Sequence, residues 1–222
     1  MTLRQRIEHS RFLAWLLAAI AGSYLDLCYR TTRWEYRGLD QLKTDLATGP
    51  VLLLTWHGRS LMGPYHWPVK DGPVSTLYDA SPIGRVSGAL QRRRGLQPIE
   101  MSSKMSNLAA SRVILRRVRD DVSIGMTGDG PLGPNQQMKA APLEWARAMK
   151  RPVYGYAFAT KRHKILGSWD KMMLPLPFTT GRAVFARFEG AVTGKADAGA
   201  QDALRAFLDE VVATADEPVP RA

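Results

Sequence analysis

Apolar positions along the chain fall into two kinds of run. Val51 to Thr55 is continuously apolar up to its last residue, the pattern of a strand buried on both faces. Val74–Tyr78, Leu96–Ile99, Val122–Met126, Pro152–Phe158 and Ala183–Phe188 predict further strands, each bounded by turn residues. Between them the period changes to that of helices. Ile83–Arg94 is basic and ends at Gly95, and Lys104–Arg119 sets Leu108, Leu115 and Val118 near one face, with Arg112, Arg116 and Arg119 largely opposite. Pro142 suits the first turn of a helix running to Lys150, and Leu204, Phe207, Leu208 and Val211 mark a last amphipathic helix. Alternation of strands with helices predicts an α/β fold, a mostly parallel sheet flanked by helices.

The N-terminus follows a different rule. Phe12 to Leu25 contains no charge, with Arg4, Arg6 and Arg11 before it and Arg30, Arg33 and Arg37 after it. The run is shorter than the roughly 20 apolar residues of a spanning helix. Ala21-Gly22-Ser23-Tyr24-Leu25-Asp26 is also a poor cleavage site for a signal peptide. An interfacial, amphipathic helix is expected instead, with Trp15, Tyr24, Tyr29 and Trp34 at headgroup depth. The chain then divides into an N-terminal membrane-associating helix (1–34), an α/β domain (35–214) and a frayed tail (215–222).

Charge narrows the partners. The 31 Lys and Arg against 20 Asp and Glu give a net charge of +11, which favours anionic surfaces such as phospholipid headgroups or an acidic carrier protein. Nucleic acid would satisfy the charge too, but no recognisable binding module accompanies it, so none is expected. The lone Cys28 excludes an internal disulfide and a cysteine-based zinc cluster. His66 and His163 lack ligand spacing with carboxylates, so no metal is expected. Trp145 and Trp169 read as core residues, and Met172 to Phe178 as core, as lining for an acyl chain or as a segment dipping into a bilayer.

In an open α/β sheet, ligands sit beyond the carboxyl ends of the strands. There the pattern delivers Thr55-Trp56-His57-Gly58, then Asp79, then Thr127-Gly128-Asp129-Gly130. An imidazole near carboxylates can act as general base toward a hydroxyl. Gly58 and Gly130 permit close approach by substrate or by other backbone.

The segment Thr55-Trp56-His57-Gly58-Arg59 resembles the first block of the lysophospholipid acyltransferase superfamily. Gly128-Asp129-Gly130-Pro131-Leu132-Gly133-Pro134 resembles the third block of its bacterial DUF374 branch, whose usual form is Asp-Gly-Pro-Arg-Gly-Pro. Lys139-Ala140-Ala141-Pro142, Arg151-Pro152-Val153-Tyr154, Ser168-Trp169-Asp170 and Pro175-Leu176-Pro177-Phe178 follow in the branch's order, so the likeness covers roughly residues 35 to 190. It implies an acyltransferase-like fold and a role in phospholipid metabolism. The reaction would move an acyl group from acyl-coenzyme A or acyl-carrier protein, without a cofactor, to a lysophospholipid-like hydroxyl. It also implies a peripheral or monotopic place on the cytoplasmic face of the inner membrane, among membrane lipids. His57 takes the catalytic position.

The superfamily sets an acid after that histidine with four residues between them, but here stands Met62. Asp79, which matches an aspartate of the branch, is the expected replacement, with Asp129 second. Arginines that bind acceptor phosphate in the superfamily are replaced by Glu100 and Leu132. Arg59, Ser102, Ser103, Lys104, Gly130 and Lys139 are left as the expected substrate contacts, and a neutral or zwitterionic acceptor is as compatible as a phosphorylated one. The competing reading is a catalytically silent lipid-binding relative.

Overall fold

The computed structural model describes residues 11–101, 107–190 and 198–220. Strands are β1 (Thr32–Arg37), β2 (Leu52–Thr55), β3 (Val74–Asp79), β4 (Ile99–Met101), β5 (Ser123–Thr127), β6 (Val153–Thr160), β7 (His163–Ile165), β8 (Met173–Pro175) and β9 (Thr179–Arg187). Helices are α1 (Arg11–Thr31), α2 (Leu39–Leu46), α3 (Gly63–His66), α4 (Pro82–Arg93), α5 (Asn107–Arg119), α6 (Ala140–Met149) and α7 (Ala198–Asp216).

Seven strands form one sheet in the order β1-β9-β6-β2-β5-β3-β4, and β7 pairs with β8 as a separate hairpin. From β6 to β4 all neighbours are parallel; β9 runs antiparallel to β6, and β1 is parallel to β9. The fold is therefore α/β with a mostly parallel sheet, as the alternating runs predict. β2 lies at its centre. Its side chains alternate between faces: Leu53 joins the core built with Leu25, Leu42 and Tyr65, and Leu52 and Leu54 join the core built with Ile114, Leu143, Leu204 and Leu208. Each such leucine, buried on one face or the other, contributes about 1.5–3 kcal/mol.

The N-terminal boundary differs from the sequence expectation. α1 continues to Thr31, where Thr31 and Thr32 hydroxyls donate to the carbonyls of Leu27 and Cys28 and satisfy the helix end. The chain then enters the sheet at once as β1, so Trp34 belongs to a strand and not to an interfacial helix. Its ring lies edge-on to His66, 4.2 Å between centroids. Tyr29 is also turned inward, against Tyr65. Trp15, Leu16, Leu17, Ile20 and Leu27 stay exposed, and Ala18, Leu25 and Cys28 are buried. α1 thus docks one face on the domain and presents an apolar outer face. Among the described residues, no helix is long and apolar enough to cross a membrane.

The C-terminus differs as well. Residues from Ala215 on read as a tail, yet Ala215 is buried within α7. Beyond it, the buried Arg182 donates to the carbonyls of Thr214, Glu217 and Pro218 and pairs with Glu35. The two terminal nitrogens of this buried guanidinium keep those carbonyl acceptors only while this segment is in place. Among the described residues, His66 is the other deeply buried cation former. It bonds Tyr156 through Nδ1 at 2.7 Å, and burial pushes its pKa down to about 3, so it is a neutral packing residue.

Candidate functional site

Sheet register brings two of the sequence candidates together. Thr55 of β2 pairs with Thr127 of β5, and the Gly128 amide extends that ladder by donating to the Thr55 carbonyl at 2.8 Å. Two residues beyond each paired threonine stand His57 and Asp129. The backbone N–H of His57 donates to Asp129 Oδ1 at 2.9 Å, and the Gln136 amide donates to Oδ2 at 3.2 Å. Asp129 is fully buried, and burial raises its pKa against the opposing pull of those amides. Its carboxylate ties two loops together by their main chains.

The imidazole itself meets a different acid. His57 Nδ1 lies 2.7 Å from Asp170 Oδ2, in the loop that joins β7 to β8. Asp170 is buried, and its Oδ1 accepts from the Ser168 hydroxyl at 2.5 Å and the Met172 amide at 3.3 Å. Burial pushes its carboxyl upward, but hydrogen bonds from Ser168, His57 and the Met172 amide outweigh it and leave the pKa below the ordinary value. An ionised carboxylate accepts only, so the proton of a neutral His57 sits on Nδ1 and the lone pair on Nε2. The His57 side chain remains 32% exposed. An accessible imidazole lone pair, backed by a buried carboxylate, can take a proton from a hydroxyl.

Gly58 makes this possible. A Cβ there would stand 2.2 Å from the Asp170 carbonyl oxygen, so only glycine lets the distant loop settle on the turn after β2. Gly133 plays the matching part on the other side. A Cβ at Gly133 would fall 2.4 Å from the Trp169 ring, whose centroid is 5.1 Å from that of His57. Trp169, expected in the core, is instead 39% exposed beside the imidazole.

Asp79 does not take the role expected of it. β3 borders β5, not β2, and Thr76 pairs with Gly125, so a strand stands between Asp79 and His57. Two strand spacings amount to about 10 Å. Asp79 Oδ1 accepts instead from the Ser81 amide and hydroxyl, shaping the turn into α4. Arg59 is likewise engaged elsewhere. Its guanidinium forks onto Asp216 at 2.7 and 2.8 Å and donates to the Phe158 carbonyl at 3.1 Å.

Gly130 adopts a left-handed backbone (φ 69°) beside the Lys139 side chain. Lys139 is exposed, and its amide donates to the Gly128 carbonyl at 2.8 Å, closing the 128–139 loop. Ser102, Ser103 and Lys104 lie outside the described residues. On the Asp170 side of the pair is a cavity of about 200 Å³, lined by Trp56, Gly58, Arg59, Asn135, Gln136, Ile165, Asp170 and Lys171. It is smaller than a typical small-molecule site of about 300–1,000 Å³. No group of three or more His, Cys, Asp or Glu among the described residues could hold a metal ion.

Asp170 is the residue that sequence reasoning missed. The only available signal was the Ser168-Trp169-Asp170 segment itself, which spacing along the chain does not connect to His57.

No family model matches this chain. It is 26% identical over 180 residues, 80% of its length, to an uncharacterized protein of Rickettsia prowazekii (strain Madrid E), of which it covers 82%. The crystal structure of the 1-acyl-sn-glycerophosphate (LPA) acyltransferase PlsC from Thermotoga maritima is similar at a TM-score of 0.48 and 15% identity, covering 100% of this chain and 85% of that one. Neither likeness fixes an activity.

Proposed function

We propose that the protein is an acyltransferase that moves a fatty acyl group from a thioester, acyl-coenzyme A or acyl-carrier protein, to the hydroxyl of a lysophospholipid-like lipid. The observation that carries this reading is the His57–Asp170 pair, 2.7 Å apart, at the carboxyl edge of the central strand. Asp170 holds the Nδ1 proton and stabilises the imidazolium that forms, as the acid does in other catalytic pairs. His57 Nε2 takes the acceptor's hydroxyl proton while that oxygen attacks the thioester carbonyl. The tetrahedral intermediate then collapses, the carbon–sulfur bond breaks, and the thiolate leaves with the proton that His57 returns. An ester of the acceptor and a free thiol are the products, and no outside reductant or oxidant is needed.

The apolar outer face of α1, carrying Leu16, Ile20 and Leu27, supports a place at a membrane surface, where both lipid and acyl chain are found. The cytoplasmic leaflet is the side on which coenzyme A and carrier protein are available. A silent lipid binder would not require a buried carboxylate committed to Nδ1, and this favours the enzyme.

The test is release of free thiol from acyl-coenzyme A and from acyl-carrier protein by the purified full chain, given a panel of lysophospholipids. Acceptor-dependent thiol release that disappears in His57→Ala is the expected result. No consumption of either donor with any acceptor, or full activity in His57→Ala, overturns it.

A further inference from the structure

Residues 161 to 169 are exposed without interruption. They comprise the turn after β6, strand β7 and most of the loop that leads to Asp170. Within so short a hairpin, Ile165, Leu166 and Trp169 are 50%, 40% and 39% exposed. The opposite strand supplies the buried anchors, Met173 and Pro175. The apolar side chains therefore point away from the core because the hairpin has already used its other side to dock.

Charge around them has one sign. Lys161, Arg162, Lys164 and Lys171 stand on this element, and the only acid from 159 to 181 is Asp170, buried against His57. Apolar and aromatic side chains ringed by cations match the boundary between acyl chains and anionic headgroups. The hairpin is also joined to α1. Tyr24 Oη and Cys28 Sγ donate to the Pro175 carbonyl, and the Phe178 amide donates to Thr31 Oγ1. Phe178, 68% exposed, lies at that junction between the outer face of α1 and the hairpin.

We propose that the β7–β8 hairpin is a lipid-docking element: Ile165, Leu166 and Trp169 enter the surface of an anionic bilayer while Lys161, Arg162, Lys164 and Lys171 meet its phosphates. The element that touches lipid is then the one that carries the acid of the His57 pair. Docking is separate from acyl transfer and is read by binding alone.

The experiment uses the full chain and vesicles of phosphatidylcholine with or without phosphatidylglycerol. Ile165→Asp with Leu166→Asp is expected to lower co-sedimentation with the anionic vesicles about tenfold or more, with α1 untouched. The thermal midpoint should stay in place, because both side chains are on the surface. Lys161→Gln with Lys164→Gln should flatten the salt dependence of binding. Brominated phosphatidylcholine should quench tryptophan emission less in Trp169→Phe than in the unaltered chain. Absence of vesicle binding by the unaltered chain, unchanged binding in the Ile165/Leu166 variant, or equal quenching in Trp169→Phe overturns the proposal. So does a loss of affinity for an acidic carrier protein with vesicle binding intact, which would make the surface a protein-docking one.

Discussion

The turn after β2 and the loop between β7 and β8 each give the site one half of its acid–base pair, by opposite routes. His57 is positioned by the sheet: β2 and β5 are parallel neighbours, and their register sets His57 against Asp129 through backbone hydrogen bonds. Asp170 is positioned by a hairpin outside that sheet, seated where Gly58 leaves room for its carbonyl. One half is held by ladder geometry and the other by a single close approach. The second should be much easier to break.

Asp170→Asn provides the largest expected effect. Turnover should fall by about 10²- to 10⁴-fold, because the amide no longer fixes the Nδ1 proton or stabilises the imidazolium. Steady-state thiol release measures it, with circular dichroism expected to be unchanged. The same substitution has a stability signature. The pKa of Asp170 is lowered in the folded protein, so its contribution is complete above the ordinary carboxyl value of about 3.9 and is lost as pH falls through the lower folded value. Urea midpoints taken down that acid limb should fall less steeply in Asp170→Asn.

Gly58→Ala comes next. It leaves every polar group in place but pushes the Asp170 backbone away, and a displacement of about 1 Å can cost roughly 100-fold in rate. A rate within a few fold of normal would show that the close approach is dispensable. On the ladder side, Asp129→Asn should cost about 1–3 kcal/mol of stability, because one amide N–H would face another where a carboxylate oxygen now accepts. Chemical denaturation reads that loss. Arg59→Met should cost at most about 1 kcal/mol, since the Asp216 it pairs with is 45% exposed, and should leave the KM for lipid unchanged. The smallest effect is expected for Asp79→Asn, whose rate should match that of the unaltered chain. A large loss there would return Asp79 to the site.

These contrasts also explain what the chain discloses before folding. Strand runs such as Val51–Thr55 are legible because burial on both faces demands uninterrupted apolar residues. His57 and Asp129 are legible because they follow such runs directly. Asp79 follows one equally well, and only strand order separates it from His57; no local pattern encodes that order. β1 is legible only at its end, before Gly38, because Thr32 to Arg37 alternates polar and aromatic residues at an edge, right after an apolar helix with no break in composition. The β7–β8 hairpin escaped because its strands have three residues each and one of them is wholly exposed. Arg59 and Arg182 are ordinary cations in sequence. Their fixed roles come from the C-terminal end of α7, far along the chain.

The His57–Asp170 pair spans 113 positions of sequence. During synthesis the imidazole therefore leaves the ribosome well before the carboxylate that would activate it. A growing chain that ends before the β7–β8 loop carries the histidine without the carboxylate that fixes its Nδ1 proton. The pair is thus assembled late, when the hairpin has settled over Gly58.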